Sequence, residues 1–110
     1  MAYRVVLAET AIHDATEFAA FIRDHHLDPR RAGEWLDGLE AAIGDLADMP
    51  RMFRVVDEQA LFAIELRQFV YHSHRVIYHV DDAAETVVVL HVYHGRRDVL
   101  RPEDMQAPGP

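Results

Sequence analysis

The run Val87–Val92 (Val-Val-Val-Leu-His-Val) is the strongest constraint on how this chain can fold. It is almost continuously apolar, β-branched, and too short for a helix that must also show a polar face. Such a run reads as a strand covered on both sides, at the centre of a sheet. The strand extends over Thr86–His94. Asp82–Glu85 makes a turn before it, and Ser73–Asp81, which alternates Val76, Tyr78 and Val80, is its hairpin partner. A further strand begins within Leu61–Val70, after a loop from Met49 to Gln59, and "YRVVLA" at Tyr3–Ala8 supplies a fourth.

Two amphipathic helices fill the space between the first strand and the others. Ile12, Ala15, Ala19 and Ile22, flanked by Phe18 and Phe21, recur at helical spacing and predict a helix from about Ala11 to His26 with Thr10 as its cap. "DPRR" is a start signal: Asp28 caps, and Pro29 takes the first helical position, where a missing N–H costs nothing. Ala32, Trp35, Leu36, Leu39, Ile43 and Leu46 form the apolar stripe of the second helix, which Pro50 ends. The short link at His25–Asp28 makes the pair an antiparallel hairpin. The order β-α-α-β-β-β, with helices and strands segregated, predicts an α+β fold. The helical hairpin packs on one face of a mostly antiparallel four-stranded sheet. Residues 1–100 are expected to form a single domain, and 101–110, "RPEDMQAPGP", a flexible tail.

Composition narrows the function classes. The chain has 110 residues and no cysteine, which excludes disulfides, thiolate metal sites and a cysteine nucleophile. No apolar stretch is long enough for a membrane-spanning helix, and the expected location is the cytoplasm. The net charge is −8, and every basic residue is arginine. So acidic a chain repels polyanions at long range and makes a poor general nucleic-acid binder. The eight histidines raise the question of a metal. His72 and His74 share a strand face, with His91 and His94 on the neighbouring strand. Yet no HExxH, no cysteine–histidine framework and no acidic third ligand accompanies them, so neither metal nor cofactor is expected. The better candidates are Arg67, Arg75, Arg96 and Arg97, which all fall in or beside the β half. Guanidinium suits planar recognition of carboxylate or phosphate.

These features together resemble the RelE/ParE superfamily of type II toxin–antitoxin toxins. The likeness covers residues 3–99. It is carried by "TAIHDATEFAAFI" after the opening strand, "LADMP" after the second helix, "ELR" at Glu65–Arg67, the Arg-Val-x-Tyr of Arg75–Tyr78, and "HGRRD" at His94–Asp98. The resemblance implies one of two activities. RelE-like members cut messenger RNA on the ribosome with basic groups that stabilise phosphate charge and move protons. ParE-like members poison DNA gyrase by binding it. Both kinds are silenced by an antitoxin segment that folds as it binds.

Carried over residue by residue, Arg75 matches the arginine of the RelE-type Arg-x-x-Tyr strand, and Arg97 the arginine after the last strand. Catalytic lysines of RelE-like enzymes are replaced by Ala63 and Glu65, and the late tyrosine has no counterpart in "LRPED". Glu65 would repel the transition-state charge. The pattern therefore favours the ParE branch: a plasmid-stabilisation type toxin that inhibits gyrase by protein binding and needs no catalytic residues of its own. Its polar surface would comprise Arg67, Arg75, Arg96, Arg97 and His94, supported by Tyr78. The alternatives are an mRNA endonuclease using Arg75, Arg97 and His94, and a non-toxic degenerate relative that serves as a binding module.

Overall fold

A computed structural model of the chain describes residues 2–95 and 100–105. Four strands form one sheet: β1 (Arg4–Leu7), β2 (Arg67–Tyr71), β3 (His74–Asp81) and β4 (Thr86–His94), in the order β1-β4-β3-β2. β2, β3 and β4 pair antiparallel, whereas β1 runs parallel to β4, with Arg4 opposite Thr86 and Leu7 opposite Val89. Between β1 and β2 lie the helices α1 (Glu9–His25) and α2 (Pro29–Gly44). The architecture is the α+β hairpin-on-sheet expected, with β4 and β3 central.

The central run is covered on both faces. Val87, Val89 and Val92 of β4 join Val76, Tyr78 and Val80 of β3 in the main core, packed against Ala11, Ala15, Leu39 and Ile43 of the helices. On the other face Ile77, Leu90 and Tyr93 meet Val56, Leu66 and Leu100. A bulge makes this division possible. The register steps from His91 opposite Ile77 to Val89 opposite Tyr78, so Leu90 is the extra residue. The extra residue shifts the alternation by one place, so that Val92 returns to the helix side.

Several boundaries differ from the sequence reading, each for a physical reason. Thr10 does not cap α1. The cap position is Ala8, and the Thr10 hydroxyl instead donates to the Leu90 carbonyl across the fold. The buried stripe of α1 runs Ala11, Ala15, Ala19, Ile22, one residue out of phase with Ile12, which is half exposed. A row of alanines lets the helix axis approach the sheet closely, which a row led by isoleucine would prevent. Asp28 does cap α2, accepting from the Arg30 and Arg31 amides, with Pro29 at the first position. α2 closes at Gly44, short of Pro50, and tightens into a 3-10 turn at Asp45–Ala47. β2 begins at Arg67 and not near Leu61, because Gln59–Leu61 forms a 3-10 turn. The Gln59 side-chain amide locks the segment leading into β2, donating to the Ile64 carbonyl and accepting from the Leu66 amide.

Candidate functional site

Arg75, His94, His72 and His74 gather at one end of the sheet, around the two-residue turn His72–Ser73 between β2 and β3, whereas Arg67 and Tyr78 lie opposite each other at the far end of that strand pair. His72 takes a left-handed φ of 52°, which sharpens the turn. On the sheet face away from the helices, Arg75 lies in a nearly closed clasp. Its two terminal nitrogens donate to the two carboxylate oxygens of Glu58, each at 2.9 Å, and its Nε donates to Gln68 Oε1 at 3.0 Å. Glu58 also accepts from the Leu100 amide at 3.0 Å. The Arg75 guanidinium and the backbone donors hold the Glu58 carboxyl down at about 2. Arg75 therefore ties three segments together: the loop before β2, the sheet, and the chain after β4.

Arg67 is similarly engaged. It donates to the Phe53 carbonyl at 2.7 Å and pairs with Glu65 at 3.0 Å. Tyr78 is completely buried in the main core. Its hydroxyl has no hydrogen-bond partner among the described residues, and burial pushes its pKa up. Tyr78 thus presents no surface of its own. His94, exposed at the end of β4, lies opposite His74 and borders cavities on both sides of the turn. Arg96 and Arg97 lie outside the described residues.

Two features escaped the sequence reading. His74 is sealed between Phe18, Trp35 and His94, with ring centroids 4.2, 5.2 and 5.0 Å away. It has no hydrogen-bond partner for either nitrogen among the described residues. Burial, reinforced by His94 and His72, pulls its pKa down to about 4, so the ring is neutral near pH 7. The second feature is Asp14. β1 stops opposite Val89, so among the described residues no strand lies beside the far half of β4 on that side. Asp14 of α1 covers that edge, accepting from the Val92 amide at 3.0 Å and lying 3.3 Å from His91 Nδ1. Neither Glu58 nor Asp14 belongs to a periodic pattern, so spacing alone could not single them out. Among the described residues no group of three or more histidine, aspartate or glutamate side chains is placed to hold a metal ion. No helix among them is long and apolar enough to cross a membrane.

The family model for the ParE toxin of the type II toxin–antitoxin system parDE matches residues 5–99. The chain belongs to the ParE toxin family. Among solved structures, this toxin is similar to a chain of the toxin–antitoxin complex RelBE2 from Mycobacterium tuberculosis. The two are 27% identical with a TM-score of 0.55, over 86% of this chain and 99% of that one. A mutant of the E. coli toxin RelE in the free state shares the fold at 18% identity and TM-score 0.53, over 86% and 84% of the two chains. The intact E. coli RelBE toxin–antitoxin complex does so at 18% and 0.54, over 87% and 100%. No curated protein matches the sequence significantly. The toxin is thus a type II toxin–antitoxin toxin of the RelE/ParE superfamily, with two helices packed on a four-stranded mixed sheet.

Proposed function

We propose that this toxin works by protein binding, with DNA gyrase as its target in the cytoplasm, and that a cognate antitoxin silences it. The observation that carries this reading is the state of Arg75. In an RNA-cleaving toxin that guanidinium must be open to phosphate; here Glu58 and Gln68 already occupy it. Glu65, placed where a nuclease would carry a lysine, neutralises Arg67. These pairs suit a polar recognition surface that includes Arg67, Arg75, Arg96, Arg97 and His94, with Tyr78 bracing it from beneath. The match to the ParE family model over residues 5–99 supports the same branch.

An antitoxin partner is supported by the two neighbours that are themselves toxin–antitoxin complexes. The apolar side chains left exposed here also fit a docking segment. Leu27, Val70, Leu61, Met49 and Ile12 are each more than half exposed. The likeness to RelE keeps a second reading in view: a ribosome-dependent mRNA endonuclease using Arg75, Arg97 and His94.

The test begins with induction of the chain alone in a bacterium, then a gyrase supercoiling assay with purified protein and a transcript-integrity assay. Growth arrest with inhibited supercoiling and intact transcripts is expected. Arrest with cleaved transcripts and unaffected supercoiling would replace the gyrase reading with the nuclease one. Well-expressed folded protein that leaves growth unchanged would point to a non-toxic binding module.

A further inference from the structure

The helical hairpin is held in two parts. Its base, with Ala11, Ala15, Leu39 and Ile43, belongs to the main core. Its tip half packs within itself, as a separate cluster of Ala19, Ile22 and Ala32 with Phe18, Trp35 and Leu36 around them. Trp35 and Leu36 border both clusters. Between the tip half and the β2–β3 turn lies a cavity of about 430 Å3, and His74 forms part of its wall. The His74 ring stands edge-on to Phe18 of α1 and to Trp35 of α2, each at an interplanar angle of 65°. Neither of its nitrogens is open to water, and neither has a hydrogen-bond partner among the described residues. The tip half therefore meets the turn across an imidazole that nothing polar supports.

We propose that His74 is the pin of an acid-operated latch: when its ring takes up a proton, the tip half of the hairpin parts from the β2–β3 turn while the base stays on the sheet. A neutral imidazole is tolerated among aromatic rings, but an imidazolium carries a charge and two N–H donors that need water or an acceptor. Because both nitrogens are closed off, hydration requires the wall to open, so proton uptake and opening become one event. Attraction between the cation and the Phe18 and Trp35 rings offsets only part of the hydration lost. The charged groups around the ring give it little help. Arg31 of α2 opposes a further positive charge, as do His26 of the hairpin link, His72 of the turn and His94 of β4 once they are protonated. Asp14 of α1 and Glu34 of α2 favour it, but Asp14 is engaged by the Val92 amide and Glu34 by Arg30. Tyr71 of β2 ties the closed form through its bond to the Trp35 carbonyl at 2.9 Å, and burial keeps its phenol neutral. The closed ring titrates at about 4 and a hydrated one at about 6.5, so acid promotes opening between those values, by about thirtyfold from pH 7.5 to 5. Unfolding of the whole chain would be driven by the same proton; the latch differs in where the chain opens.

Trp35 provides the readout, being the only tryptophan in the chain. The purified full chain is taken from pH 7.5 to 4. Acrylamide quenching, corrected for fluorescence lifetime, measures access to Trp35, and far-UV circular dichroism measures helix content. The quenching constant should rise severalfold as pH falls through this range, at a higher pH than any loss of helix signal. The ring protons of His74, followed by NMR, should titrate in step with the quenching. His74→Phe, and His74→Leu as a smaller apolar replacement, should leave the quenching constant independent of pH wherever circular dichroism finds them folded. Three results on the native chain would each overturn the latch: no rise in quenching down to pH 4, a rise that coincides with loss of helix, or titration of His74 without a change at Trp35. A rise that persists in either folded variant would overturn it too, by assigning the opening to another group.

Discussion

At the scale of single residues, two positions have consequences out of proportion to their size. A Cβ on Gly38 of α2 would run into the Tyr71 hydroxyl, which donates to the Trp35 carbonyl at 2.9 Å. Gly38→Ala should therefore destabilise the protein by about 1–3 kcal/mol despite the better helix propensity of alanine. Adding Tyr71→Phe should recover part of that loss, and denaturant titration of the two single variants and the double variant measures the coupling.

His74 makes a different prediction. Its folded-state pKa of about 4 lies below the ordinary histidine value of 6.5, because burial penalises the charged ring. A group with a depressed basic pKa binds protons more readily when unfolded. Its contribution is therefore complete above about pH 6.5 and is lost as pH falls from there toward 4, by roughly 3 kcal/mol in all. Urea midpoints measured between pH 7.5 and 4 should fall steeply in the native protein. His74→Phe should flatten the upper part of that slope.

At the scale of elements, stability depends on two carboxylates that join pieces far apart in the chain. Glu58 receives Arg75 of β3 and the Leu100 amide in a largely buried position. Removing it with Glu58→Ala leaves the Arg75 guanidinium without its carboxylate, though still bonded to Gln68, and releases the Leu100 amide, at a cost of about 2–3 kcal/mol once partial exposure is allowed for. Hydrogen exchange should then rise around Leu100 before it rises in β3. The Glu58 pKa is depressed to about 2, so this clasp holds fully above about pH 4.5 and weakens as pH falls toward 2, a window below that of His74. Asp14→Ala should cost about 1–3 kcal/mol by leaving the Val92 amide without its acceptor, and Asp14→Asn, which keeps a carbonyl oxygen, should cost less.

The elements were legible where one interaction dominated: the apolar run of β4, the Asp28–Pro29 start of α2, and the alternation of Val76, Tyr78 and Val80. They were misread where tertiary packing overrode local preference. Thr10 left its cap role for a carbonyl of β4, and Gln59 folded the expected beginning of β2 into a turn. The candidate arginines were visible as residue types, but their partners were not. Glu58 lies 17 positions from Arg75 in a loop without periodicity, and only the folded chain brings the two together.

At the scale of the whole molecule, the acidic balance and the arginine surface belong to one prediction. If recognition and not catalysis is the activity, Arg96→Ala/Arg97→Ala should abolish growth arrest while leaving the circular dichroism spectrum unchanged. Inhibition by the native toxin should weaken as salt rises from 50 to 300 mM, because screening reduces steering between charged surfaces.

The parallel pairing of β1 with β4 reaches furthest of all. Arg4 finds its place beside Thr86, and Leu7 beside Val89. After β1 a ribosome must synthesise some eighty more residues before the strand it pairs with exists. Until then the helical hairpin has no completed sheet to rest on. Non-local pairing of this kind slows folding and favours closure as a late event. A nascent chain interrupted anywhere before β4 is consequently a fragment that lacks the central strand of its sheet. For a toxin of this family, the order of synthesis delays the finished sheet until its central strand has been made.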